Sequence, residues 1–475
     1  MNRFPALPFV SAALLASAVA GLGQGSDPIG LQALRGFDPT LTGTGVIVAQ
    51  VEANSGTGTA DDYEVNPNAV GQAASKFEYT GSNGSTASVF PNKVGVESTH
   101  ADEVGEAFYG DVNKSNPEGV APGVKEIDSY DGGYFLHTIV PGLMPINAKI
   151  VNESFTADSI VDQSYDNYAA KYNTLFISAV GNSGGIGSPA SCFNGIGVAA
   201  YGSPSGTGPT YDGRSKPDIT APGNATSVTA PLVAGAAADL LEAAERGDAG
   251  AGTTADASDS RVIKVALLNG AIKPPDWTHT GTAPLDTRYG AGILNVYNSY
   301  MNLRAGEHGI SGATAGPVAA ISSGSLEPEE GWDLATMTTA YDGTSSYINE
   351  SNHYLFNLTA ATAPAFTLTS TLTWWRQNGQ TKINNLDLYL FDATTGATIA
   401  VSDSTVDNVQ QIYAQDLAPG EYDLVVEKVG GTVVSASETY GLAFDFAPVP
   451  EPSAWWLLIL GVAAAPWMKA RLAKG

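Results

Sequence analysis

Three runs in this chain, Val46-Ile47-Val48-Ala49-Gln50-Val51, Leu175-Phe176-Ile177-Ser178-Ala179-Val180 and Ile196-Gly197-Val198-Ala199-Ala200, are almost unbroken in their apolar character. A strand with one wet face alternates, whereas a strand covered on both faces does not. Helical stretches such as Ser164 to Tyr172 lie between the runs. That succession is βαβ patterning and predicts an α/β fold, a parallel sheet flanked by helices. Ala148 to Phe155 reads as a further strand followed by a polar rim, and Leu31 to Arg35 as a brief helix. Ligands gather at the carboxyl ends of such strands. Glu52, which closes the first run, is therefore a candidate functional acid, with a solvated strand-end acid as the alternative. Asn182, in the turn Gly181-Asn182-Ser183-Gly184-Gly185, offers an amide donor at another strand end, with an Asx turn as the alternative. The glycines of that turn let the backbone approach a ligand closely.

Two stretches add a hydroxyl and an imidazole. Asn224-Ala225-Thr226-Ser227 runs into Val228-Thr229-Ala230-Pro231, where a proline suits a first helical turn, and then into an Ala-rich run that reads as a buried helix. A serine at a helix N-terminus has unpaired N–H groups and a positive dipole end beside its Oγ, as a nucleophile needs. Capping is the commoner use of such a serine. In Ser98-Thr99-His100-Ala101-Asp102-Glu103, Thr99 is the expected cap of a helix whose first turn holds His100, one of five histidines.

These blocks resemble those of the subtilisin-like serine proteases, in the family's order. Gly45 to Asn54 is similar to the strand carrying the catalytic acid, and His100 to Gly105 to the histidine block. Val180 to Gly184 is similar to the oxyanion asparagine block, and Ala225 to Pro231 to the serine block. Gly119 to Gly123 and Arg288 to Asn295 are lesser echoes, and the likeness spans Leu31 to Leu303. The resemblance implies acyl transfer to water: Ser227 as nucleophile, His100 as general base and then acid, Glu52 as orienting acid, and Asn182 as oxyanion donor. It also implies that Ser154 and Gly181 bind a polypeptide substrate. The chain departs from the pattern with Glu52 for Asp, Ala225 for Gly, Leu232 for a second His and Thr156 for Gly. Asp61, Asp62 and Asp102 are the other acids near enough in sequence to be considered. The lead before the first strand is too short for the family's inhibitory prodomain. The related sedolisins use Glu and Asp in place of the His, and His100 argues against them. No cofactor is required; calcium often stabilises these proteases, but no loop here is assignable to it and no metal ligands are expected.

The remaining expectations concern the ends. Arg3, an apolar Phe9 to Val19 and Ala18-Val19-Ala20 form an export signal over 1–20. A subtilisin-like domain is expected over 28–305, a Gly-, Ala- and Ser-rich linker over 306–328, and a β-sandwich over 329–447. The last resembles the jelly-roll domains appended to secreted bacterial proteases. Residues 448–475, with Val449-Pro450-Glu451-Pro452 before an apolar run and a basic end, resemble a PEP-CTERM sorting signal. That implies transient insertion in the inner membrane and cleavage by a dedicated membrane peptidase, leaving the protein in the envelope or outside the cell. A net charge of −26 argues against nucleic acid as a partner, and the lone Cys192 is expected as a small buried hydrophobe. The reading is an exported serine endopeptidase. The alternative is a non-catalytic surface or matrix protein on a decayed protease fold, with the β-sandwich as a binding module.

Overall fold

The computed structural model describes residues 27–54, 61–111, 118–157, 160–250, 253–339, 347–432 and 434–449. The export signal and nearly all of the sorting segment lie outside them.

The first apolar run forms β1 (Ile47–Glu52). Val48 joins one hydrophobic cluster while Ala49 and Val51 join another, so the two faces of the strand feed two cores. That is why the run does not alternate. The sheet is completed by β2 (Phe77–Thr80), β3 (Thr86–Ala87), β4 (Glu126–Asp131), β5 (Ile150–Glu153), β6 (Leu175–Ala179), β7 (Ile196–Tyr201) and β8 (Ile219–Pro222), in the order β8-β7-β6-β5-β1-β4-β2-β3. All strands are parallel except the edge β3, which is antiparallel to β2. The chain returns to β1 from both sides, so a crevice forms at the carboxyl ends of the central strands.

Helices α1 (Leu31–Phe37), α2 (Thr99–Tyr109), α3 (Asp162–Tyr172), α4 (Thr226–Glu245), α5 (Ser260–Asn269) and α6 (Val296–Arg304) surround the sheet. The 20-residue α4 is buried along most of its length and is a core helix. Its start differs from the sequence expectation. Ala225 is the residue before the helix, Ser227 already lies within it, and Pro231 stands inside it rather than in the first turn. The cap of α2 differs as well: Ser98 Oγ accepts from the Ala101 N–H, and Thr99 is the first helical residue.

Beyond α6 the strands are antiparallel and form two sheets around one core. Strands β9 (Gly312–Ala315), β11 (Glu350–Leu358), β13 (Leu386–Asp392), β14 (Thr398–Ser402) and β16 (Gly420–Lys428) make a five-stranded sheet. Strands β10 (Glu330–Thr338), β12 (Ala365–Trp374), β15 (Val409–Leu417) and β17 (Ser437–Val449) make a four-stranded one. Phe356, Leu388 and Leu424 from the first sheet share a cluster with Leu368, Trp374 and Phe444 from the second. The stretch read as linker is not free chain. Its β9 pairs with β11, and the Ile321 N–H donates to Asp423.

Candidate active site

The carboxyl ends of β1, β5 and β6 and the N-termini of α2 and α4 meet at the middle of the sheet. Glu52 ends β1, 1% exposed, and its Oε2 lies 2.8 Å from His100 Nδ1. His100 stands in the first turn of α2 with 46% of its side chain exposed, so one ring edge is held and the other faces the crevice. The hydrogen bond to Glu52 is the main force raising the His100 pKa; burial opposes it, and the charges of Glu52 and Glu103 add to the rise. With Nδ1 facing a carboxylate the neutral ring keeps its proton there and leaves Nε2 as an acceptor. Asp102 turns its carboxylate to the Asn66 N–H at 2.7 Å, and Asp61 takes the Ser82 hydroxyl. Neither these two nor Asp62 bonds His100 among the described residues.

The register places Val51 opposite Glu153, so Ser154 follows β5 just as Glu52 ends β1. Ser154 Oγ accepts from Asn152 Nδ2 at 3.0 Å and donates to the Ser227 carbonyl oxygen at 3.0 Å. That carbonyl would ordinarily take the N–H four residues on, which here belongs to Pro231 and does not exist. The proline thus frees the carbonyl of Ser227, and the neighbouring strand satisfies it.

Asn182 reaches α4 from the turn after β6. Its Oδ1 accepts from the Thr226 N–H at 2.8 Å and from Thr226 Oγ1 at 3.0 Å. Because a backbone N–H must meet an acceptor, the amide orientation is fixed, and the NH₂ end of this exposed side chain is the one left to donate elsewhere. The first N–H groups of α4, Ser227's among them, have no partner within the helix. Gly181, with φ +99°, supplies the left-handed turn that aims Asn182. The Thr156 methyl packs 3.4 Å from where a Cβ on Gly181 would sit. The Ser227 hydroxyl and His100 Nε2 make no hydrogen bond with one another among the described residues.

Two groups beneath the rim escaped the sequence reading. Gln50, fully buried, donates to Glu52 Oε1 at 2.9 Å. A polar residue inside an otherwise apolar strand was the available signal. Glu153, also fully buried, accepts from the Tyr165 hydroxyl and from Ser178 Oγ, and burial pushes its pKa up to about 8. Cys192 is buried, and burial raises its thiol pKa. Among the described residues no group of three or more His, Cys, Asp or Glu side chains is placed to hold a metal ion.

A family model described as the subtilase family matches residues 44–292, just over half of the chain. No curated protein matches. Among solved structures the chain is similar to tripeptidyl peptidase 2, at 15% identity over 77% of this chain and 41% of that one, TM-score 0.37. It thus spans about two fifths of that protein's length. It is also similar to the PatG macrocyclase in complex with peptide, at 17% identity over 58% and 97%, TM-score 0.40. MycP1 from the ESX-1 type VII secretion system is similar at 16% identity over 58% and 84%, TM-score 0.41.

Proposed function

The chain belongs to the subtilase family, and from that premise we propose that it is an exported serine endopeptidase. The observation that carries the reading is a histidine bonded to the buried carboxylate that ends β1, on the strand beside the one followed by Ser154, whose hydroxyl in turn holds the Ser227 carbonyl at the N-terminus of a buried helix. In this mechanism His100 Nε2 takes the Ser227 proton as Oγ attacks the scissile carbonyl carbon. The tetrahedral oxyanion lies against the Asn182 NH₂ and the Ser227 N–H, donors of a kind each contributing about 3–4 kcal/mol. Glu52 holds the imidazole and stabilises its charged form. His100 then passes the proton to the leaving amine, the acyl–Ser227 ester forms, and water attacks it by the same route. Ser154 and Gly181 flank the substrate backbone, which pairs with the strand ends by β-addition. Export through the N-terminal segment, and sorting and cleavage at the C-terminal one, belong to the same proposal.

A fluorophosphonate probe tests it. The purified chain is expected to label on one residue, with labelling abolished in Ser227→Ala. A folded chain that does not label favours the non-catalytic alternative, and labelling unchanged in Ser227→Ala overturns the assignment of Ser227 as nucleophile.

A further inference from the structure

We propose that Gln50 is a positioning residue, clamped by Tyr109, that fixes the Glu52 carboxylate against His100. The inference rests on the peptidase reading and extends it to residues that reading does not use. Gln50 and Glu52 are two apart on β1 and so lie on one face. The Gln50 amide makes three hydrogen bonds: Nε2 donates to Glu52 Oε1 at 2.9 Å and to the Ala101 carbonyl at 2.8 Å, and Oε1 accepts from the Tyr109 hydroxyl. A carboxylate and a carbonyl only accept, so both require the NH₂ end, and the phenol must donate to the other. The amide has one orientation in which every bond is made. Gln50 and Tyr109 are fully buried, so water cannot replace either.

The placement has a mechanical meaning. Ala101 follows His100 in the first turn of α2, and Tyr109 is its last residue. One amide therefore pins the strand bearing the acid to both ends of the helix bearing the imidazole. Glutamate has one more rotatable bond than aspartate, so a single hydrogen bond to His100 leaves its carboxylate free to turn. With Oε1 held by Gln50 and Oε2 by His100, both oxygens are fixed and the plane is set. Burial also keeps the Tyr109 phenol protonated, as a donor must be.

The test compares fluorophosphonate labelling rates, counted per active serine, for the wild-type chain, Gln50→Met, Glu52→Asp and the double variant. Gln50→Met is expected to slow labelling about 10- to 100-fold, as misplacement near a reacting group does. In the Glu52→Asp background, where the shorter carboxylate no longer reaches Gln50, the same change is expected to cost under about 3-fold. Tyr109→Phe removes one oxygen and is expected to slow labelling in the same direction by less, which covers the case in which Gln50→Met fails to fold. Labelling that depends on Ser227 but is insensitive to Gln50 and Tyr109 overturns the inference and leaves the peptidase reading standing. Equal slowing by Gln50→Met in the wild-type and the Glu52→Asp backgrounds overturns it too, because the role would then be structural. A wild-type chain that never labels overturns both.

Discussion

At the scale of single residues, the proposed mechanism makes the His100–Glu52 pair decide how activity depends on pH. The bond to Glu52 holds the imidazole proton, so the pKa lies above the ordinary value of about 6.5. In the proposed mechanism only the neutral ring accepts the Ser227 proton, so labelling is expected to rise with pH and to reach half its plateau above about 6.5. Glu52→Gln removes the charge and the tautomer control; the midpoint is expected to fall and the plateau to drop by up to ~10⁴-fold. An unchanged midpoint would assign the raised pKa elsewhere. Stability has the opposite sense. A folded pKa above the unfolded one means that the pair's contribution is complete below about 6.5 and is lost as pH rises through the folded value. The acid and imidazole were both legible in the sequence, at a strand end and a helix start. Gln50 was quoted only as part of a strand: its spacing puts it on one face with Glu52, but nothing local says that Ala101 and Tyr109 hold its amide there.

At the scale of elements, the start of α4 is the informative case. Its apolar composition announced a buried helix, but its first turn was misplaced because proline was expected at the beginning. The structure puts Pro231 four residues after Ser227, and the missing N–H is compensated by Ser154 across the crevice. Ser154→Ala is expected to orphan that carbonyl, costing about 1–3 kcal/mol in urea unfolding and slowing labelling of Ser227. A neutral outcome in both would show that the carbonyl finds another partner. The same helix explains a glycine that no local rule required. A Cβ on Gly235 would meet the Val120 side chain at 2.5 Å and the Phe108 carbonyl at 3.1 Å, so α4 lies close against the end of α2. Such closeness is a property of two elements together.

At the scale of the whole molecule, the C-terminal sheets are joined to the parallel-sheet unit by buried polar contacts. Asn194 exchanges two hydrogen bonds with the Arg376 backbone, and Asn408 Nδ2 donates to the Phe193 carbonyl at 2.9 Å. Trp332, Val409 and Ala443 from the later strands belong to the core cluster of the earlier ones. The Arg376 guanidinium pairs with fully buried Asp166 and lies 4.8 Å from the Phe193 ring centroid. Arg376→Ala would strand that carboxylate, so a loss of about 3–5 kcal/mol is expected, with both units unfolding in one transition. Two separate transitions, or a loss confined to the C-terminal sheets, would show the units to be independent. The Gly- and Ser-rich composition of 306–328 suggested free chain. Only the edge of β11 decides that part of it becomes a strand.

Hydrophobic period and punctuation, which are local, determined the parallel sheet, its covering helices and the later antiparallel strands. Burial on two faces leaves its mark in every run of side chains. The side chains to which the proposal gives the parts of nucleophile, base, acid and oxyanion donor were also singled out in the order of residues. The tertiary structure alone decided which hydroxyl satisfies the carbonyl beside Pro231 and which amide steadies Glu52. Apart from Gln50 and Glu52, which are neighbours on one strand face, the residues so joined lie tens of positions apart, and a hydrogen bond is a matter of direction and distance that no one-dimensional pattern carries.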